Sequence, residues 1–175
     1  MVTTTADILE DILDREGWPT YTESDAEYPD RGGLTKGGIT IKTLRHWRKA
    51  PSTSTRELRN LQKSEALAIL RLHFVECNGI ARLEGTSLFA QVVDNAVLSG
   101  PYLSVCDLQQ VLDVTVDGII GPKTSAAVKG HGERVRARLV RTRALRIVAF
   151  VQRHPKQLVF LKGWMSRILS FFPEV

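Results

Sequence analysis

Leu88-Phe89-Ala90-Gln91-Val92-Val93-Asp94-Asn95-Ala96-Val97-Leu98-Ser99-Gly100-Pro101 is apolar from Leu88 to Leu98 except at Gln91, Asp94 and Asn95. A surface helix would carry a polar face, so this stretch predicts a helix at the centre of a helical protein. Pro101 opens the next helix, to about Leu112, because proline is tolerated where a helix's first N–H has no partner. Towards the N-terminus, Ile8, Leu9, Ile12 and Leu13 fall on one helical face. Thr4 with Asp7 forms a capping box for it, and Gly17 stops it. Thr40 caps a helix through about Lys49, ended by Ala50-Pro51, and Ser64 caps another carrying Ala66, Leu67, Ile69, Leu70, Phe74 and Val75. Towards the C-terminus, Asp117-Gly118 and Gly121-Pro122 mark turns, and Thr124 can cap a short helix to Val128. A long basic helix over about 132–153 is stopped by Pro155, and a last one covers about 163–172. Glycines at 17, 32, 33, 37 and 38 leave 17–40 as a loop and small hairpin turning at Gly37-Gly38. The expected class is mainly α, with no large sheet.

At 175 residues, 43% hydrophobic and 25% charged, the chain suits one globular domain, or one with a small appendage. Its net charge of +5 is uneven. Residues 1–128 hold 13 Lys+Arg against 17 Asp+Glu, and residues 129–175 hold 11 against 2. The tail therefore favours polyanions. Arg134, Arg136, Arg138, Arg141, Arg143 and Arg146 alternate with apolar residues. They predict either a packed helix with a solvated basic face or a surface held against anionic lipid or wall polymer. No nucleic-acid motif accompanies the charge. No apolar run reaches the roughly 18–20 residues of a membrane span, and no secretory signal is evident, so synthesis in the cytoplasm is expected. Cys77 and Cys106 read as small buried thiols, and His46, His73, His131 and His154 lack metal-ligand spacing. Neither a metal nor a cofactor is expected.

Residues 16–40 hold the chemistry. Glu16 ends the first helix, where the negative end of the dipole favours the protonated form that a general acid needs. Asp30 follows in Pro29-Asp30-Arg31-Gly32-Gly33, a turn suited to a charged carboxylate, and Thr35 and Thr40 can hold a water. A protonated acid, an ionised acid and a water-holding hydroxyl can hydrolyse a glycosidic bond with inversion. Spacing alone does not separate such a pair from solvated surface acids, and the chain has 19.

Glu16-Gly17-Trp18 followed by Asp30-Arg31-Gly32-Gly33-Leu34-Thr35-Lys36-Gly37-Gly38-Ile39-Thr40 resembles the opening signature of the glycoside hydrolase family 108 N-acetylmuramidases. These are lysozyme-like phage endolysins and secretion-associated peptidoglycan hydrolases. Asp94-Asn95-Ala96-Val97-Leu98-Ser99-Gly100-Pro101 is similar to the family's central helix. Leu108-Gln109-Gln110 with Val116-Asp117-Gly118-Ile119-Ile120-Gly121-Pro122-Lys123-Thr124 looks like its peptidoglycan-binding-type segment. Lys162-Gly163-Trp164-Met165-Ser166-Arg167 resembles its closing motif. Departures are Trp18 for a glycine, a longer gap from Glu16 to Asp30, Leu98 for an asparagine, and Phe74-Val75 for a Tyr-Trp pair.

The resemblance implies a lysozyme-like catalytic region over 1–100 and a peptidoglycan-binding-type region over 101–175, packed on it. It implies a muramidase that cleaves the β-1,4 bond between N-acetylmuramic acid and N-acetylglucosamine. Glu16 would be the acid, and Asp30 with Thr35 would direct water, with Asp25 or Glu27 as alternatives to Asp30. Trp18, Tyr21, Thr40, Asp94 and Asp117 are expected to bind substrate, although Thr40 also reads as a helix cap and Asp117 as a structural turn. The partner is peptidoglycan, the protein a monomer, and release would run through a holin pore or a transporter. The rival readings are a lytic transglycosylase, a non-catalytic wall-binding protein and a membrane disruptor acting through the basic tail.

Overall fold

The computed structural model describes residues 4–22, 34–130 and 133–172. The chain divides into two compact units, Met1–His73 and Phe74–Val175. It is mainly helical, as expected.

In the first unit, helix α1 (Thr5–Arg15) starts at the expected capping box. Thr4 Oγ1 accepts from Asp7 N at 3.2 Å, and Asp7 Oδ2 accepts from Thr4 N at 2.8 Å. Its buried face is Ile8, Leu9, Ile12 and Leu13, and it packs on α4 (Lys63–Leu70). Strands β1 (Tyr21–Thr22), β2 (Thr35–Lys36) and β3 (Ile39–Thr40) form one antiparallel sheet in that order. Gly37 (φ +53°) and Gly38 (φ +75°) close the β2–β3 hairpin. Two successive left-handed residues are what a two-residue hairpin of this twist demands, and glycine supplies them without strain. Thr40 caps α2 (Ile41–Arg48), which ends at Lys49 in the left-handed region.

Two expectations are corrected here. Helix α4 begins at Lys63 with Gln62 as its N-cap, so Ser64 lies inside it. A helix that the sequence reading omitted, α3 (Thr55–Arg59), is opened by a capping box of Ser54 and Glu57, a signal visible in the sequence.

The second unit is built on α5 (Phe89–Ser99), which packs on α6 (Pro101–Val111). Helix α7 is Pro122–Lys129, α8 is Glu133–Arg153 and α9 is Leu161–Leu169, with a 3₁₀ turn Pro155–Phe160 between the last two. Helix α8 packs on α6 and α9. Val140, Ile147, Val151 and Ile168 form a core against which Leu98 and Trp164 pack, so Leu98 fills apolar space. Thr124 does not cap α7. Gly121 is the N-cap, Pro122 takes the first turn, and the Thr124 hydroxyl is buried against Gln109.

The polar residues of α5 face inward too. Asp94, 1% exposed, accepts from Arg143 Nη2 and, at 2.7 Å, from Arg167 Nε. Asp107 on α6 accepts from Arg146 Nε at 3.0 Å and from Asn95 Nδ2 at 3.1 Å. Two of the six arginines expected to alternate along a basic face are therefore committed to buried carboxylates, and Arg143 is itself only 1% exposed. Burial lowers the Arg143 guanidinium from its ordinary value, and the Asp94 carboxylate opposes that shift.

Candidate active site

Glu16 is the C-cap of α1, and its N–H donates to Ile12 O at 2.9 Å. Gly17 then turns the chain with φ +82°. The Glu16 side chain is half-buried and lies on the hairpin turn. A β-carbon at Gly38 would stand 3.2 Å from Glu16 Oε2 and 3.4 Å from its Cγ. Helix end and hairpin tip are thus brought together by the two short segments that carry the opening motif.

The hairpin has two faces, set by its register. Thr35 pairs with Thr40 in β3 and with Thr22 in β1, and Thr35 and Thr40 share one face. Lys36 is opposite Ile39 and Tyr21, on the other face. Ile39 is buried, and Lys36 Nζ donates to Arg59 O at 2.6 Å and Leu61 O at 3.0 Å, tying the hairpin to the end of α3. Lys36 Nζ also sits 4.8 Å from the Trp18 ring centroid, and Arg59 Cζ lies 4.7 Å from that of Tyr21. Cations near rings at these distances are attracted by the ring's negative face. Lys36 holds the hairpin in place, a role that the sequence carries no local signal for, since its acceptors lie more than twenty residues away.

The candidate residues therefore separate. Glu16 and Thr35 both belong to the helix-end and hairpin assembly. Asp30, with its alternatives Asp25 and Glu27, lies outside the described residues. Trp18 and Tyr21 are half-buried, each with a cation over its ring, and the Trp18 and Leu13 side chains both lie against Gly37. Thr40 Oγ1 accepts from Thr43 N at 3.0 Å, the helix-cap role. Asp94 is corrected. It was expected at the substrate surface, yet it is interior, because Arg143 and Arg167 require a buried countercharge.

Asp117 is exposed, and its Oδ1 accepts from Gln109 Nε2 at 2.7 Å and Ile119 N at 2.9 Å. These bonds hold its carboxyl below the usual range. Fully buried Gln109 also accepts from the N–H groups of Asp117 and Gly118, at 3.1 and 2.8 Å, and so staples the turn. Asp117 lines a groove of about 700 Å³ with Asp113, Ile119 and Lys123. Among the described residues, no group of three or more His, Cys, Asp or Glu side chains could hold a metal ion, and no helix is long and apolar enough to cross a membrane.

Gly38→Ala puts a methyl group against the Glu16 carboxylate and forces a left-handed alanine, a strain of about 1–2 kcal/mol. On the expectation that Glu16 is the reacting acid, activity should fall at least about tenfold, since small displacements of a reacting group cost factors of this size or more. Gly85→Ala is the control: it has the same strain at φ +79° with nothing within 4 Å, and is expected to lose stability and keep activity. Equal activity in both variants would show that Gly38 does not seat Glu16.

A family model described as Glycosyl hydrolase 108 matches residues 9–100, and one described as Predicted Peptidoglycan domain matches residues 103–169. A solved structure, that of Brucella abortus SagA, is similar at 28% identity and a TM-score of 0.73, over 97% of this chain and 96% of that one. No curated protein matches the sequence. The first match spans more than half of the chain and contains Glu16, the hairpin and all of α5. With a peptidoglycan-type module following it in sequence, the chain belongs to the glycosyl hydrolase 108 family and is a glycoside hydrolase that acts on peptidoglycan.

Proposed function

We propose that the protein is an N-acetylmuramidase that hydrolyses the β-1,4 bond between N-acetylmuramic acid and N-acetylglucosamine, with Glu16 as the general acid. The observation that carries this is the Glu16 carboxyl at the C-terminus of α1, half-buried against Gly38 of the hairpin. The side chain is placed by the end of α1 on one side and by the hairpin turn on the other. In this reading the Glu16 carboxyl protonates the leaving oxygen. Asp30, assisted by Thr35, activates water on the opposite face of the sugar, which inverts the anomeric centre. Trp18, Tyr21 and Thr40 border this assembly in the reading, and Asp117 serves the glycan or peptide at the groove of the second unit.

The catalytic region occupies 1–100 and the wall-binding region 101–175. The protein acts as a monomer on the cell wall, reached from the cytoplasm through a holin pore or a transporter. An anionic surface is its second partner through the C-terminal helices. Because Arg143 and Arg146 are committed to Asp94 and Asp107, that contact falls to exposed cations such as Arg141, Arg153 and Lys156.

Digestion of purified peptidoglycan, with the released sugars identified by mass spectrometry, tests the bond and the reaction. Reducing N-acetylmuramic ends are expected, formed as the α-anomer when sampled early by NMR. Reducing N-acetylglucosamine ends would assign the other glycosidic bond. Anhydro-muramyl ends would make the enzyme a lytic transglycosylase, in which no water is added.

A further inference from the structure

Leu158, Val159 and Phe160 are three consecutive large apolar residues exposed at 59%, 64% and 47%. Runs of this kind on a soluble surface mark an interaction site. They end the 3₁₀ turn Pro155–Phe160, and aromatic contacts extend the patch: Phe160 to Trp164 at 5.7 Å between centroids, and Trp164 to Phe150 at 6.0 Å. Phe150 is 36% exposed and lines a groove of about 330 Å³ with Leu103, Arg153 and Trp164.

The patch is ringed by cations in sequence. Arg153, Lys156 and Lys162 are exposed, and between Glu133 and Glu174 the chain has ten Lys+Arg and no acid. Three of those arginines, Arg143, Arg146 and Arg167, neutralise Asp94 and Asp107 inside the unit. The cations beside the apolar turn have no such commitment to buried carboxylates, since they stand in solvent.

We propose that the turn Pro155–Phe160 is a membrane-interface anchor: Leu158, Val159 and Phe160 enter the headgroup region of an anionic phospholipid bilayer while Arg153, Lys156 and Lys162 meet its phosphates. This rests on the anionic-partner reading above and gives it one occupant and one segment. The combination of features selects the occupant. A charged wall polymer would engage the cations and leave three apolar side chains in water. A second copy would cover the apolar residues and bring like charges together, which is repulsive. A bilayer interface satisfies both, with apolar residues at the acyl boundary and basic residues at the lipid phosphates. The turn suits that depth because its backbone is bonded internally: Gln157 N donates to His154 O at 2.9 Å, and Pro155 has no N–H to satisfy.

The full chain is sedimented with vesicles of phosphatidylglycerol and phosphatidylcholine, or of phosphatidylcholine alone, for wild type, Val159→Asp and Lys156→Glu/Lys162→Glu. Wild type is expected to bind only the anionic vesicles and to detach as salt is raised. Each variant is expected to bind them at least about tenfold more weakly. Both variants should keep the wild-type melting temperature, and digestion of lipid-free peptidoglycan is scored separately on wild type, so failure here is distinct from failure of the hydrolase reading. Absence of wild-type binding, or Val159→Asp binding as wild type does, would overturn the anchor. Light scattering that shows a concentration-dependent dimer, abolished by Val159→Asp, would assign the patch to a second copy and also overturn it.

Discussion

Glu16→Gln is expected to lower peptidoglycan turnover by roughly 100- to 10,000-fold, the usual weight of a positioned general acid. Gln keeps the size and hydrogen-bonding capacity of the side chain and removes only the transferable proton. Its packing on Gly38 should therefore survive, with melting temperature within about 2 °C of wild type, because surface and half-buried isosteric changes are usually small. Binding to sacculi, measured by co-sedimentation, is expected to persist, since the groove beside Asp117 belongs to the other unit. The informative pattern is loss of released sugar with binding retained. A variant that still releases sugar at the wild-type rate would remove Glu16 from the chemistry. Lysis of cells at full rate by a variant that releases no sugar would move the biological effect to the basic tail.

The second large effect concerns stability. Asp94 is the countercharge for Arg143, which is as buried as it is, and for Arg167. Asp94→Ala leaves a guanidinium in the interior that cannot shed its proton, and breaking a buried pair in this way costs about 3–5 kcal/mol. For a chain of this length, about 2–4 °C of melting temperature is lost per kcal/mol, so a fall of about 6–20 °C is expected. The double variant Asp94→Leu/Arg143→Met should recover part of that loss, because it removes the fully buried Arg143 ion together with its countercharge and leaves only Arg167, at 14% side-chain exposure, without its carboxylate. Calorimetry on the two variants separates the cases. A fall below 2 °C for Asp94→Ala would mean that water or another acid already compensates Arg143. No recovery in the double variant would place the loss in packing rather than in charge.

Much of the helical layout was legible because its signals are local. The Thr4–Asp7 box and the paired glycines at 37 and 38 act within four residues of themselves, and the structure bears out each. Thr40 as a helix cap and Pro101 at a helix start are equally local. Local signals were misread where two were available side by side. Ser64 and Thr124 have the right side chains for caps, yet Gln62 and Gly121 occupy those positions, because neighbouring contacts decide which residue leaves the helix. The π-helical turn Arg71–Glu76 that follows α4 has no periodicity signal at all.

The candidate site divides the same way. Glu16, the hairpin and the Asp117 turn stand in contiguous motifs that could be read directly. Lys36 as the brace of the hairpin was not legible, since its acceptors at Arg59 and Leu61 are 23 and 25 residues away. The arginines of α8 were read as an exposed face because charge alternating with apolar residues is ordinarily solvated. One clue pointed inward: buried Val135, Leu139, Ile147 and Val151 recur every four residues or multiples of four, and Arg143 falls in the same row.

Sequence alone determined the helices, the hairpin turn and the chemical character of the residues at the end of α1, since each depends on backbone preferences and capping within a few residues. Tertiary structure decided which charges are paired in the interior and which stand in solvent. Asp94 lies 49 residues from Arg143 and 73 from Arg167. Whether such a carboxylate meets water, substrate or a guanidinium depends on the packing of separate helices, and the cost of burying an unpaired charge leaves the paired arrangement as the stable one.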